Sequence, residues 1–93
     1  MKKDDCYKNG RKISEQTGDV LTYYYKSGKM KAQGNYIDEQ FEGQWLFYNE
    51  DGALIQEGNF KRNQKDGEWK RFNSNGDVDY HVLFKDGKEV KKL

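Results

Sequence analysis

One histidine, His81, and one cysteine, Cys6, are the side chains best suited to act as a general base or a nucleophile. Hydrolysis or group transfer through either would need an activating partner held close by. His81 alternates with apolar neighbours in the two-residue period of a β-strand, on the face opposite Val82, and Cys6 follows no recognisable activating pattern. We therefore interpret His81 as a surface histidine and Cys6 as an incidental thiol, and predict that the chain has no catalytic residue and is not an enzyme.

Metal and cofactor chemistry also lack a pattern in this chain. No paired cysteines or histidines have zinc-ligand spacing, no alternating acids form a calcium loop, and no glycine-rich loop has phosphate-binding spacing. The acids Asp38–Glu39 and Glu50–Asp51 fall between apolar stretches, where turn formation explains them, with docking of a basic partner as the alternative. We predict neither a metal ion nor a cofactor.

Length and composition restrict the remaining functions. The chain has 93 residues, of which 35% are charged and 15% aromatic, with a net charge of +1, so it can hold one small domain and has no basic excess for nucleic acid. Its apolar stretches are too short to span a bilayer, and Met1–Asp5 leads into no signal-peptide core. The single cysteine cannot form an internal disulfide. We expect a cytoplasmic protein, or an extracytoplasmic one if a signal segment has been removed.

The elements that must position any binding residues are set by an internal repeat of 24 residues. Four columns keep the residue type in each copy, namely Tyr24, Tyr48 and Phe72; Gly28, Gly52 and Gly76; Met30, Leu54 and Val78; and Tyr36, Phe60 and Phe84. Two more columns change at the ends: Gly34 and Gly58 are followed by Val82, while Trp45 and Trp69 are flanked by Leu21 and Leu93. Tyr7–Gly10 also echoes Phe84–Gly87, which suggests a partial copy upstream.

Each period contains two strand-like stretches and two turns. The aromatic stretch Trp45–Tyr48 precedes Asn49–Gly52, a turn with glycine at its end, and Leu54–Phe60 then alternates with the period of a strand. We predict an all-β fold, a meander of antiparallel hairpins with about seven short strands in a single elongated, twisted sheet. Residues 1–17 form a partial N-terminal repeat or extension, and residues 18–93 form the repeat domain, with repeats at about 18–42, 43–66 and 67–93.

The glycine and tryptophan columns predict a strand register. If Tyr36 faces Gly43 across a hairpin, antiparallel counting places Gly34 opposite Trp45. The same register places Gly58 opposite Trp69, and Val82 opposite Leu93. An indole would then cover each strand glycine and form the structural core of the repeat.

These columns resemble a MORN-type repeat of the bacterial variant class. The unit that carries the resemblance is Gly43-Gln44-Trp45, Tyr48, Gly52, Leu54 and Gly58-Asn59-Phe60, followed by Gly67-Glu68-Trp69. The resemblance covers about residues 18–93, and departs from the pattern where Leu21 and Leu93 replace tryptophan and Val82 replaces glycine.

The resemblance implies a non-catalytic module that binds another protein. Similar bacterial proteins are YwqK-family antitoxins, which implies binding and occlusion of a cognate toxin, whereas other MORN arrays self-associate as scaffolds or bind anionic lipid. An exposed aromatic ladder is typical of protein interfaces, so the candidate partner-binding residues are Tyr24, Tyr48, Phe72 and Phe47; packing of both ladders within the sheet is the alternative. Candidate lipid contacts are Lys61, Arg62, Lys65, Lys70 and Arg71, although acids interleave with them. We expect a protein partner, with a homo-oligomer or a membrane surface as alternatives, and no nucleic acid.

Overall fold

The computed structural model describes residues 6–93, which form one open antiparallel sheet without a helix. Nine strands are found among these residues: β1 Ser14–Thr17, β2 Val20–Tyr24, β3 Met30–Ile37, β4 Gln40–Tyr48, β5 Leu54–Lys61, β6 Gln64–Lys65, β7 Gly67–Phe72, β8 Val78–Lys85 and β9 Lys88–Lys92. They pair in the order β1-β2-β3-β4-β5-β7-β8-β9, and β6 pairs with β5. The predicted all-β meander is confirmed. The count exceeds about seven because β1 joins the sheet and because Asp66 separates β6 from β7.

One kind of turn lies at one end of the strands. In the turn at Asn49, the Asn49 N–H donates to the carbonyl of Ala53, and the Gly52 N–H donates back to the carbonyl of Asn49. The same two bonds form at three other positions, over Tyr7–Arg11, Tyr25–Lys29 and Asn73–Asp77. The turn at Tyr7 therefore has the same backbone hydrogen bonds as the turn at Tyr25. The sequence similarity had instead aligned Tyr7–Gly10 with Phe84–Gly87. Residues 1–5 of the predicted N-terminal extension lie outside the described residues.

Two-residue turns lie at the opposite end of the strands. They join β1 to β2, β3 to β4, β5 to β6 and β8 to β9, and in the last three both turn residues have positive φ, as type I′ hairpins require. The values are 54° and 64° for Asp38 and Glu39, 52° and 71° for Arg62 and Asn63, and 53° and 85° for Asp86 and Gly87. Only the last of these turns has glycine at its second position.

The core lies on one face of the sheet, which we call the aromatic face, and is built by tryptophan over glycine. Trp45 and Trp69 are 1% and 3% exposed, although the sheet is a single layer. Gly34 lies opposite Trp45, as predicted, and a Cβ on Gly34 would overlap that indole. Each indole N–H donates to the residue after the glycine, at 2.9 Å from Trp45 Nε1 to Asn35 O and 2.8 Å from Trp69 Nε1 to Asn59 O. Glycine thus makes room for the ring, and the next carbonyl fixes its orientation.

Two predicted pairings are wrong, because the hairpins contain β-bulges. Tyr36 pairs with Phe41 and not with Gly43, since the register shifts after Gly34 and leaves Gly43 and Gln44 as extra residues in β4. Gly43 adopts a φ of +71°, and its equivalent Gly67 adopts +91°, so glycine permits this wide bulge.

The predicted pairing of Val82 with Leu93 is also wrong. Val82 pairs with Lys92, because the bulge in β9 contains the single extra residue Val90. The position equivalent to Gly43 and Gly67 is Lys91, so the glycine of the wide bulge is missing. Leu93 is consequently 51% exposed, while the Val82 side chain is fully buried.

Candidate functional site

The three repeated turns at Tyr25, Asn49 and Asn73, together with the ring that precedes each of them, form a row along one end of the sheet, which we call the turn row. The preceding rings are Tyr24, Tyr48 and Phe72, the first column of the repeat. Each ring lines a surface depression, with volumes of about 350 Å³ at Tyr24, 270 Å³ at Tyr48 and 680 Å³ at Phe72. Three of the four predicted partner-binding residues thus occupy equivalent positions, one in each repeat.

The depression at Phe72 is the largest of the three and has an apolar floor. Ala53, Leu54 and Ile55 line it beside Phe72, and polar turn residues surround them, namely Asn49, Asp51, Asn73, Ser74 and Asn75. Concave apolar surface with a polar rim is the usual form of a recognition site. The asparagines were not selected from the sequence as binding residues, although Asn49 and Asn73 also recur at the 24-residue spacing.

The depression at Tyr24 is the most polar part of the turn row. The Tyr24 hydroxyl donates to Glu15 Oε1 at 3.1 Å, and Lys12 Nζ donates to Glu15 Oε2 at 3.3 Å. These bonds, from Lys12 first and Tyr24 second, lower the pKa of Glu15, while burial and the bond to Glu15 raise the pKa of Tyr24. The middle depression is lined by Lys29 and Asp51, one charge of each sign. The row therefore offers charges of both signs beside the first two rings, and mostly neutral polar groups with the single acid Asp51 beside the third.

Phe47, the fourth predicted partner-binding residue, lies on the aromatic face and not in the turn row. Its ring centroid is 6.3 Å from that of Trp45 and 6.0 Å from that of Trp69. Phe41 stacks on Trp45 at 4.5 Å, and Phe60 meets Trp69 edge-on at 5.1 Å. These rings cover the two tryptophans, so Phe47 contributes to the core of the sheet.

The five predicted lipid contacts do not share one face. Lys65 lies on the aromatic face with its ammonium 4.7 Å from the ring centroid of Trp69 and 4.9 Å from that of Phe84. Arg71 stacks over Tyr80 at 5.1 Å and bonds Asp79 at 3.1 Å. Lys70 alternates with Arg71 along β7 and pairs with Glu57 of the neighbouring strand, on the opposite face. Lys61 ends β5, and Arg62 lies in the turn that follows.

A polar depression of about 350 Å³ lies on the opposite face, and no motif in the sequence pointed to it. Gln44, Glu57, Asn59, Glu68 and Lys70 line it together with Leu83. Nearby, His81 Nε2 lies 2.8 Å from Glu68 Oε1, an arrangement that could orient a base. Within residues 6–93 no nucleophile is hydrogen-bonded to His81, and Cys6 is exposed near the other end of the sheet. The His81 and Glu68 side chains form a surface hydrogen bond between the neighbouring strands β7 and β8.

Metal-ligating side chains do not gather in the described part of the chain. Residues 6–93 contain no group of three or more histidine, cysteine, aspartate or glutamate side chains placed to hold an ion.

The described residues also contain no helix long and apolar enough to cross a membrane.

Comparison with known families supports the repeat assignment. The family model described as MORN repeat variant matches three consecutive segments, residues 20–38, 41–62 and 65–86. Each segment holds a hairpin that carries the aromatic and glycine columns. No curated protein and no solved structure matches the chain.

Proposed function

Since the chain belongs to the MORN repeat variant family, whose repeats are generally modules that bind protein or lipid, we propose that it binds another protein and catalyses no reaction. The observation that carries the proposal is the turn row, where Tyr24, Tyr48 and Phe72 each line a depression. One repeat spans two strands, so successive rings recur at about 9.6 Å. Such a series suits an extended segment or a flat surface of a partner that places side chains at matching intervals.

The specific form that we propose is an antitoxin-like role, in which the turn row covers a functional surface of a toxin. The apolar floor at Phe72 supplies surface that gains free energy on burial, at about 25 cal/mol per Å². The polar rim of Asn49, Asp51 and Asn75 supplies orientation through hydrogen bonds. Neutralisation by occlusion needs only such a complementary surface.

Binding to anionic lipid is the less favoured function, because its candidate cations are divided. Lys65 and Arg71 lie over rings on the aromatic face, whereas Lys70 lies on the opposite face beside Glu57. A membrane surface needs cations that point the same way. Self-association as a scaffold remains an outcome that the experiment below distinguishes.

The test is to compare the wild type with a Tyr48→Ala/Phe72→Ala variant in capture of proteins from the source cell. The matched control is Val20→Ala/Ile37→Ala, which removes two apolar side chains of 39% and 38% exposure away from the turn row. We expect the wild type and the control to capture one protein in stoichiometric amount, and the turn-row variant not to capture it. Expression of the captured protein without this chain should slow cell growth. Capture that all three share would overturn the turn row as the binding surface.

Light scattering and vesicle binding cover the other outcomes. A mass that rises with concentration, without a captured protein, would replace the proposal by self-association. Salt-sensitive binding to vesicles of phosphatidylserine would replace it by lipid binding.

A further inference from the structure

Exposed apolar side chains gather at the end of the sheet formed by β8 and β9. Among the described residues, six large apolar side chains are exposed, and four of them lie between residues 78 and 93: Val78 46%, Tyr80 36%, Val90 56% and Leu93 51%. All five residues of β9 are exposed as well. We call β9 together with Leu93 the C-terminal edge.

The backbone of this edge has unused hydrogen-bonding groups. Leu93 N donates to His81 O at 2.7 Å, so Leu93 faces β8. Because backbone groups alternate in direction along an antiparallel strand, the N–H and C=O of Lys92 point away from the sheet. No strand of the described residues pairs with this side of β9. An extended segment could therefore be added to the sheet here.

The charge of the edge selects what can be added. β9 carries three lysines, Lys88, Lys91 and Lys92, against the single acid Glu89. Glu89 accepts a 2.8 Å hydrogen bond from the Tyr80 hydroxyl, and Lys88 pairs across the hairpin with another lysine, Lys85. None of the ion pairs within residues 6–93 includes these lysines. The edge is thus a cationic strand with apolar side chains at Val90 and Leu93.

A second copy of the chain fits this edge poorly. Pairing β9 with β9 of another molecule would bring two lysine-rich strands together, which like-charge repulsion disfavours. Pairing β9 with β1 would offer one acid, Glu15, which is already bonded to Lys12 and Tyr24. The alternative is that the lysines of β9 only prevent edge-to-edge aggregation. That role does not explain why the apolar side chains of Val90 and Leu93 are exposed beside them.

We propose that the C-terminal edge binds an extended segment of another protein, in which carboxylates alternate with apolar side chains. The segment would pair with the outward N–H and C=O of Lys92 and place its acids against Lys88 and Lys91, which pair with Lys85 and Leu83 and so lie on the face opposite the aromatic face. Its apolar side chains would lie on the aromatic face, against the alkyl chain of Lys92, which pairs with Val82. This surface is distinct from the turn row, so its occupation does not depend on the proposed function.

The probe is an acetylated peptide of alternating valine and glutamate, with a valine–lysine peptide of equal length for comparison. The test variant is Lys88→Glu/Lys91→Glu, and the matched control is Lys8→Glu/Lys31→Glu, which changes the net charge equally at two exposed positions outside the turn row and far from β9. Far-UV circular dichroism and the emission of the buried tryptophans check that each variant folds.

We expect the acidic peptide to bind the wild type and the control alike, and the edge variant at least about tenfold more weakly, with no binding of the basic peptide. Hydrogen exchange at the Lys92 amide should slow in the complex. The Tyr48→Ala/Phe72→Ala variant should bind the peptide with the affinity of the wild type. This result does not depend on whether the turn row binds a partner protein.

Three results would overturn the proposal. They are absence of binding to the acidic peptide, equal weakening by both charge variants, and binding without protection of the Lys92 amide. Concentration-dependent dimers that the edge variant abolishes would also overturn it, since the occupant would then be a second copy.

Discussion

The indole of Trp69 lies directly over Gly58, in the space that any larger residue at position 58 would fill with its Cβ. Its N–H completes the arrangement with a 2.8 Å bond to Asn59 O. Trp45 and Gly34 form the same relationship one repeat earlier, with the bond to Asn35. A single-layer sheet can therefore bury two tryptophans, because each ring lies flat on a glycine and its polar atom has a partner.

The first prediction concerns this pair. Gly58→Ala should lower the free energy of unfolding by about 1–3 kcal/mol, because the new methyl group overlaps the indole and forces it out of its position. Urea unfolding followed by tryptophan emission measures the loss.

Trp69→Leu provides the control for that mechanism, since a leucine at position 21 already lies opposite Gly34. In the double variant Gly58→Ala/Trp69→Leu the methyl group has no ring to displace. Its loss of stability should therefore be smaller than the sum of the two single losses. Additive losses would show that the overlap is not the cause.

The second prediction concerns the turn that joins β3 to β4. Glu39 adopts a φ of 64°, which costs a residue with a side chain about 1–2 kcal/mol relative to glycine, and Gly87 holds the equivalent position in the β8–β9 turn with a φ of 85°. Glu39→Gly should raise the free energy of unfolding by about 1 kcal/mol after the entropy cost of glycine.

The reverse change tests the same cause. Gly87→Glu should destabilise by a similar amount, because a Cβ there meets Gln64 only at ordinary contact distance and the backbone strain is the main penalty. Thermal melts of both variants decide the point. Equal and negligible shifts would mean that the turn backbone relaxes when the residue changes.

Comparison of the predicted and observed registers shows how far the sequence determines this fold. The repeat columns predicted the meander, the turns at Asn49 and Asn73, and the position of Trp45 over Gly34, because those features depend on residue types at fixed spacing. The bulge in β4 was missed, since its two extra residues, Gly43 and Gln44, leave the two-residue alternation of the apolar side chains unchanged. Only glycine at positions 43 and 67 signalled where the wide bulge forms, and lysine at position 91 signalled that it does not form in β9.

The candidate site was predictable to a similar degree. The column of Tyr24, Tyr48 and Phe72 could be read from the sequence, but the depressions beside these rings arise from how neighbouring turns are spaced. Lys70 and Arg71 were grouped as lipid contacts, although strand alternation divides them between the two faces. The exposure of Leu93 could not be predicted, because it depends on the one-residue bulge at Val90.

The third prediction concerns alkaline pH. Burial, and to a smaller degree Tyr36, raises the pKa of Tyr23 above its ordinary value of 10.0. A phenol whose pKa is raised in the folded state favours folding fully below the unfolded-state value, and this contribution is lost as the pH rises through the folded-state value. The wild type should therefore lose stability above about pH 10.

Tyr23→Phe should lessen that loss while leaving stability near neutral pH largely unchanged, because the ring still packs on Trp45 at 6.2 Å. Urea midpoints at neutral and strongly alkaline pH give the comparison. Identical pH profiles for the two proteins would mean that other groups, such as Tyr24 and Tyr80, control the alkaline transition.

The last prediction concerns the turn that borders the largest depression of the turn row. Asn73 Oδ1 accepts hydrogen bonds from two backbone N–H groups, those of Asn75 at 2.9 Å and Asp77 at 3.0 Å. Asn73→Ala removes the acceptor for both and should cost about 1–2 kcal/mol of unfolding free energy. The neighbouring change Asn75→Ala is a suitable control, because the bond at that residue involves its backbone N–H and is retained.

Amide hydrogen exchange provides the measurement. In Asn73→Ala, the amides of residues 75 and 77 should exchange faster than in the wild type. In Asn75→Ala, the Asp77 amide should exchange at the wild-type rate. The depression at Phe72 is lined by both asparagines, so its shape depends on this turn. Each variant removes one rim side chain, but only Asn73→Ala also disturbs the backbone of the turn. The affinity for the captured partner should therefore fall more in Asn73→Ala than in Asn75→Ala. Equal weakening in the two variants would show that the rim acts through side-chain contacts alone and that the backbone of the turn contributes nothing to recognition.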